Sequence, residues 1–106
     1  MGKIKRKKEK EIIKKEIKKE SLEKRNQYVK VLFFAQAKEI VNKSELNIKI
    51  PRKSTVKDLI DILYTNYPGL KKIGFSIALN EEYLSDYNVV IKSKDVVAII
   101  PPVSGG

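Results

Sequence analysis

From Tyr28 onward, apolar and polar positions follow recognisable periods; before it they do not. "YVKVLFFAQ" (28–36) is β-branched and aromatic, and apolar at nearly every position after Lys30. That pattern predicts a strand covered on both faces. "AKEIVNK" (37–43) predicts a short helical turn. "ELNIKIP" (45–51) alternates, with Leu46, Ile48 and Ile50 inward and Asn47 and Lys49 outward. This is the signature of a half-exposed strand, ended by Pro51. "STVKDLIDILYTNYPG" (54–69) predicts the main helix. Thr55 and Asp58 form a capping pair of the Ser/Thr-x-x-acid kind. Val56, Leu59, Ile60, Leu63 and Tyr67 share one helical face, and Pro68-Gly69 stops the run. "FSIALN" (75–80) alternates again, with Phe75, Ile77 and Leu79 on one side. "EEYLSDYN" (81–88) reads as loop or short edge structure, "NVVIKSKD" (88–95) leads to a turn, and "VVAIIPP" (96–102) is a last apolar strand.

The order is strand, strand, helix, strand and final strand. The first and last strands are the most apolar, so both are expected at the centre of the sheet, side by side. The fold class is α+β, a mixed sheet packed on one main helix. The domain is expected to span residues 28–106. Residues 1–27 are a basic low-complexity extension of Lys, Glu, Ile and Arg. Glu11–Lys15 and Glu20–Lys24 have the favourable helical order, but Ile13 and Ile17 form too narrow a face to dock. A disordered or marginally helical segment is expected.

Charge and composition then narrow the chemistry. The chain has 106 residues, 42% of them hydrophobic, enough for one small core. The formal net charge is +10. Residues 1–27 hold 12 Lys/Arg and 5 Glu and carry +7 of it. The bland reading of that run is a solvated extension; the functional one is non-specific contact with RNA or an anionic surface. No aromatic residue interleaves with its lysines, so base stacking lacks support and no nucleic-acid partner is expected. No apolar run reaches membrane-spanning length, and no apolar stretch follows the basic start as in a signal peptide. A soluble cytosolic protein without a membrane partner is expected.

The sequence contains no cysteine and no histidine. Thiolate nucleophiles, sulfur-ligated metals and the commonest general base near neutral pH are therefore missing. Asp58 with Asp61, and Glu81 with Glu82, read as solvated surface acids. The chain is not expected to be an enzyme by itself or to hold a metal.

The chemistry is instead expected at "PPVSGG" (101–106). Pro101 and Pro102 fix their φ angles and lack N–H donors, so they stop sheet pairing and favour an extended stalk. Val103, Ser104 and Gly105 continue a tail whose six residues reach at most ~20 Å when extended. Gly105 and Gly106 carry no Cβ, giving the thinnest thread a polypeptide can form. Such a thread can enter a tunnel in another protein. The α-carboxylate of Gly106, with an ordinary pKa of about 3.5, can attack the α-phosphorus of ATP there. An acyl-adenylate results, and a thiol, amine or persulfide can displace AMP. With no cysteine, any sulfur carried must sit on that carbonyl as a thiocarboxylate.

"KVLFFAQAKEIV" (30–41), "ALN" (78–80) and "DVVAIIPPVSGG" (95–106) closely resemble the small subunits of molybdopterin synthase, the MoaD-type sulfur carriers of the ubiquitin-like set. The resemblance covers residues 28–106. It implies a β-grasp fold with a flexible C-terminal tail. It implies that Gly106 is adenylated by a ubiquitin-activating-type adenylyltransferase and sulfurtransferase, which uses ATP, and is then thiocarboxylated. No cofactor would be bound by the carrier itself. The tail would insert into the large catalytic subunit of molybdopterin synthase, in a heterotetramer of two small and two large subunits. There the sulfur would pass to cyclic pyranopterin monophosphate, building the molybdopterin dithiolene of the molybdenum cofactor. On matched positions the partner interface would include Phe34, Tyr83 and Ile100; the alternative for Phe34 and Ile100 is plain core packing. Three departures stand out: the basic extension, Lys94 and Val96 in place of the usual glycine-acidic turn, and Lys38 where arginine is common. The alternative functions are a ubiquitin-like modifier, or a sulfur carrier for tRNA thiolation or thiamine synthesis.

Overall fold

The structure, a computed structural model, describes residues 25–102. Strand β1 (Asn26–Phe33) leads into helix α1 (Ala35–Val41) and strand β2 (Glu45–Pro51). Helix α2 (Val56–Asn66) follows, then a 3-10 helix (Pro68–Lys72), β3 (Ser76–Leu79), β4 (Glu82–Tyr83) and β5 (Val96–Ile100). The five strands form one sheet in the order β2-β1-β5-β3-β4. The pair β1–β5 is parallel and central, and the other pairings are antiparallel. The expected neighbours at the sheet centre are therefore found, and the architecture is the α+β β-grasp.

Strand β1 differs from expectation in two ways. It begins at Asn26, two residues before Tyr28, because Gln27 already faces the interior. Gln27 is buried, and its Nε2 donates to the Ile91 carbonyl at 3.0 Å. A buried amide is tolerated there because it is paired. Second, β1 is covered on one face, not both. Gln27, Val29, Val31 and Phe33 are buried, whereas Tyr28 and Lys30 are exposed and Leu32 is half-buried. The core lies on a single side of the sheet, so the run of apolar residues at 31–34 divides between two environments. The strand also stops earlier than expected. Phe34 becomes the N-cap of α1 and Ala35 takes φ 49°, which turns the chain into the helix. The short helix thus starts at Ala35, two residues before the expected turn. It ends at Asn42, left-handed at φ 63°, whose N–H donates to the Lys38 carbonyl at 2.7 Å.

Helix α2 begins as its sequence dictates. Asp58 N–H donates to Thr55 Oγ1 (3.2 Å) and Thr55 N–H donates to Asp58 Oδ2 (2.9 Å), a reciprocal capping box. Val56, Leu59, Ile60 and Leu63 bury the inward stripe. Against them pack Val29, Val31 and Phe33 of β1, Ile50 of β2, Ile77 of β3, and Val97 and Ile99 of β5 in one continuous cluster. Each such aliphatic side chain contributes about 1.5–3 kcal/mol by leaving water. Tyr67 lies just past the helix as its C-cap and is only partly buried.

The turn before β5 also departs from the glycine pattern, and it is built differently. Lys92 N–H donates to Asp95 Oδ2 (2.7 Å), and Asp95 N–H donates to the Lys92 carbonyl (3.1 Å). Lys94 stands between them at φ 72°, a left-handed conformation that disfavours a side chain with Cβ. Lys94→Gly is therefore expected to stabilise the domain by about 0.5–1 kcal/mol, after glycine's greater unfolded-state entropy is counted. Thermal unfolding would show it as a midpoint raised by a few degrees; an unchanged or lowered midpoint would contradict the strain.

Candidate functional site

Because the helices cover only one face, the other face of the sheet is open. Register decides what lies there. Leu32 of β1 is opposite Ala98 of β5, Ala98 is opposite Ala78 of β3, and Ala78 is opposite Tyr83 of β4. Two alanines side by side leave a trough between larger neighbours. The result is an apolar groove of about 500 Å³, lined by Leu32, Phe34, Ala78, Asn80, Glu81, Tyr83, Val96, Ala98 and Ile100. Phe34 is 46% exposed and Tyr83 69%. Ile100 is half-buried. All three residues expected at a partner interface thus meet in one concavity, although they come from the α1 cap, β4 and β5. For Phe34 and Ile100 the alternative of plain core packing is set aside, since the core cluster includes neither.

The groove sits beside the root of the C-terminal segment. Phe34 N–H donates to the carbonyl of Ile99 (3.2 Å), immediately before the chain leaves β5. Pro101 is buried and belongs to the body, and Pro102 is exposed. The buried end of β5 and Pro101 therefore hold the exit point in a fixed place next to the groove. The expected tail residues Val103, Ser104, Gly105 and Gly106 lie outside the described residues, as does the basic segment 1–24.

Opposite ends of the open face differ in charge. Strands β1 and β5 are parallel, so their C-terminal ends share the apolar side with Phe34 and Ile100. At their N-terminal ends Tyr28, Lys30, Arg52 and Lys94 line a polar depression with Asn26, Asn47 and Asp95. Lys30 forms an exposed ion pair with Glu45 at 3.6 Å, of little weight for stability. Among the described residues no group of acidic side chains is placed to hold a metal ion, and no helix is long and apolar enough to cross a membrane.

Register also brings in residues that sequence reading left out of the interface. Leu32, Ala78, Val96 and Ala98 are ordinary strand residues, and only pairing places them on one surface. Asn80 braces that surface. Its Nδ2 donates to Asp95 Oδ1 (2.9 Å), and its Oδ1 accepts from Val96 N–H (2.9 Å), tying the β3–β4 turn to the start of β5. Asn80 and Glu81 have φ 50° and φ 72°. Two consecutive positive values between paired strands describe a two-residue hairpin of the I′ kind, where asparagine then glycine is preferred. Glutamate in the second position costs about 1–2 kcal/mol relative to an unstrained residue. The presence of "ALN" in the sequence marks the turn, but the missing glycine hides its type.

Comparison with known proteins agrees with this geometry. Residues 31–106 match the model of the ThiS family. The molybdopterin synthase sulfur carrier subunit of Dictyostelium discoideum is 44% identical over 85 residues, covering 76% of this chain and 98% of that one. The protein of the same name from Arabidopsis thaliana is 40% identical over 80 residues, covering 74% of this chain and 82% of its relative. Among solved structures, a protein–protein complex of subunits 1 and 2 of the molybdopterin-converting factor from Helicobacter pylori contains a chain that is 33% identical. It has a TM-score of 0.55 and covers 76% of this chain and all of that one, 100%.

Proposed function

The chain belongs to the ThiS family, and from its similarity to molybdopterin synthase sulfur carrier subunits we propose that it is the sulfur carrier subunit of molybdopterin synthase. It acts as a sulfur donor and not as a catalyst: the reacting carbon is the carboxyl of Gly106, and the catalytic groups are supplied by partners. The observation that carries the reading is the apolar groove of Phe34, Tyr83 and Ile100 beside the exit of the C-terminal segment. A partner seated in that groove would hold the root of the tail at a fixed distance from its own active site, which is what directed transfer requires.

In this reading the carrier works in the cytosol and binds no cofactor. A ubiquitin-activating-type adenylyltransferase takes ATP. The Gly106 carboxylate oxygen attacks the α-phosphorus, pyrophosphate leaves, and an acyl-adenylate forms. A hydrosulfide equivalent from the sulfur donor then attacks the carbonyl carbon, AMP leaves, and the thiocarboxylate remains. The loaded tail enters the large catalytic subunit, in a heterotetramer of two carriers and two large subunits, and gives its sulfur to cyclic pyranopterin monophosphate. A dithiolene needs two sulfurs, so two loaded carriers are consumed per product.

Incubation with ATP, the activating enzyme and a sulfur donor tests the loading step directly. The intact mass should rise by about 16 Da, one oxygen exchanged for sulfur, and the loaded protein should convert the pterin when the large subunit is added. An unchanged mass would overturn the reading, and isopeptide conjugates on target lysines without pterin conversion would favour a protein modifier.

A further inference from the structure

Glu81 is the only charged side chain among the nine residues that line the groove. Its neighbour Glu82 pairs with Leu79, whose side chain packs against the core, and so lies on the other face of the hairpin. The remaining polar lining residue, Asn80, is already committed to Asp95 and Val96. The Glu81 carboxylate has neither an ion pair nor a hydrogen-bond donor among the described residues. It therefore stands exposed and uncompensated at the rim of an apolar concavity.

Its backbone makes the position more informative. Glu81 holds φ 72°, where glycine would sit without strain. The turn is also held firmly, because Asn80 anchors it to β5 through two hydrogen bonds. The backbone that carries the carboxylate is thus fixed, so the position from which the side chain reaches out is set. Of the net charge of +10, residues 1–27 carry +7 and residues 28–106 carry +3. A cationic group on a partner would be attracted at this acidic rim.

We propose that Glu81 is a specificity-determining residue of the groove, which pairs with a lysine or arginine on the large catalytic subunit and so sets the orientation of docking. This rests on the functional reading above. Apolar contact supplies the affinity, and a rim charge supplies register and rejects partners that lack the opposing cation. The surface that fits is an apolar projection filling the trough over Ala78 and Ala98, flanked on the β3–β4 side by one basic side chain.

The test is titration of the full chain against the large subunit at low and at high salt, with Glu81→Gln, Glu81→Gly and Glu81→Lys. Glutamine removes the charge and keeps the strain; glycine removes both. At low salt both should weaken binding by roughly three- to tenfold, and the difference should shrink at high salt. Lysine should weaken it more than either. Glu81→Gly should also unfold at a higher temperature than the unaltered chain, which separates lost docking from lost folding. Binding of Glu81→Gln equal to that of the unaltered chain at low salt would overturn the role of Glu81. Failure of the unaltered chain itself to bind would overturn the functional reading, and this inference with it.

Discussion

Removing Gly106, or adding one residue beyond it, is expected to abolish sulfur transfer and to leave thermal unfolding where it was. Pro101 is the last buried residue among those described, and neither change alters a residue of the core cluster. Each one displaces the reacting carbonyl carbon along the thread by about 3.5 Å. Misplacement of a reacting group by even 1 Å can cost about 100-fold, so a loss beyond that factor is expected. Single-turnover transfer to the pterin measures it, with intact mass to report whether the end was loaded at all. Gly105→Ala tests a separate property, the width of the path, because it keeps the length and adds one methyl group. Its effect is expected to be smaller and to fall on insertion. Wild-type transfer from either length variant would refute the assignment of Gly106 as the carrier atom's site.

Phe34→Asp is expected to detach the carrier from its large subunit while leaving it folded. Phe34 is 46% exposed and lies outside the core cluster, so the free protein loses little. In the complex its ring would be enclosed, and a carboxylate there would be desolvated without a partner. Aromatic anchors at the centre of an interface cost ~2–4 kcal/mol when removed, equivalent to roughly 30- to 1,000-fold in affinity. Calorimetric titration would show the loss, and a thermal midpoint near the original would show that folding is intact. Filling the trough from its floor, with Ala98→Met, should also weaken docking without introducing charge. Tight binding by Phe34→Asp would mean that the open sheet face is not where the large subunit sits.

Much of this arrangement is legible in the sequence. The capping pair Thr55–Asp58, the stripe Val56, Leu59, Ile60 and Leu63, and the alternation of "ELNIKIP" are local patterns, and each reappears as its element. The adjacency of β1 and β5 also followed, because the two most apolar strands have the most to gain from the centre of the sheet. The number of faces on which β1 is buried is not legible in its composition. Leu32 and Phe34 are as hydrophobic as Val31 and Phe33, and hydrophobicity alone does not say whether a side chain meets a helix or a partner. The start of β1 was missed for the converse reason: Gln27 is polar, and only its bond to the Ile91 carbonyl makes its burial tolerable.

What the sequence determined by itself was the main elements and the central strands, because composition and local periodicity suffice for these. Tertiary structure decided where Phe34, Tyr83 and Ile100 meet, why two alanines make a trough there, and which acid stands at its edge. Those facts depend on pairing between strands far apart in the chain. A shift of one residue in that register would turn every such side chain to the opposite face.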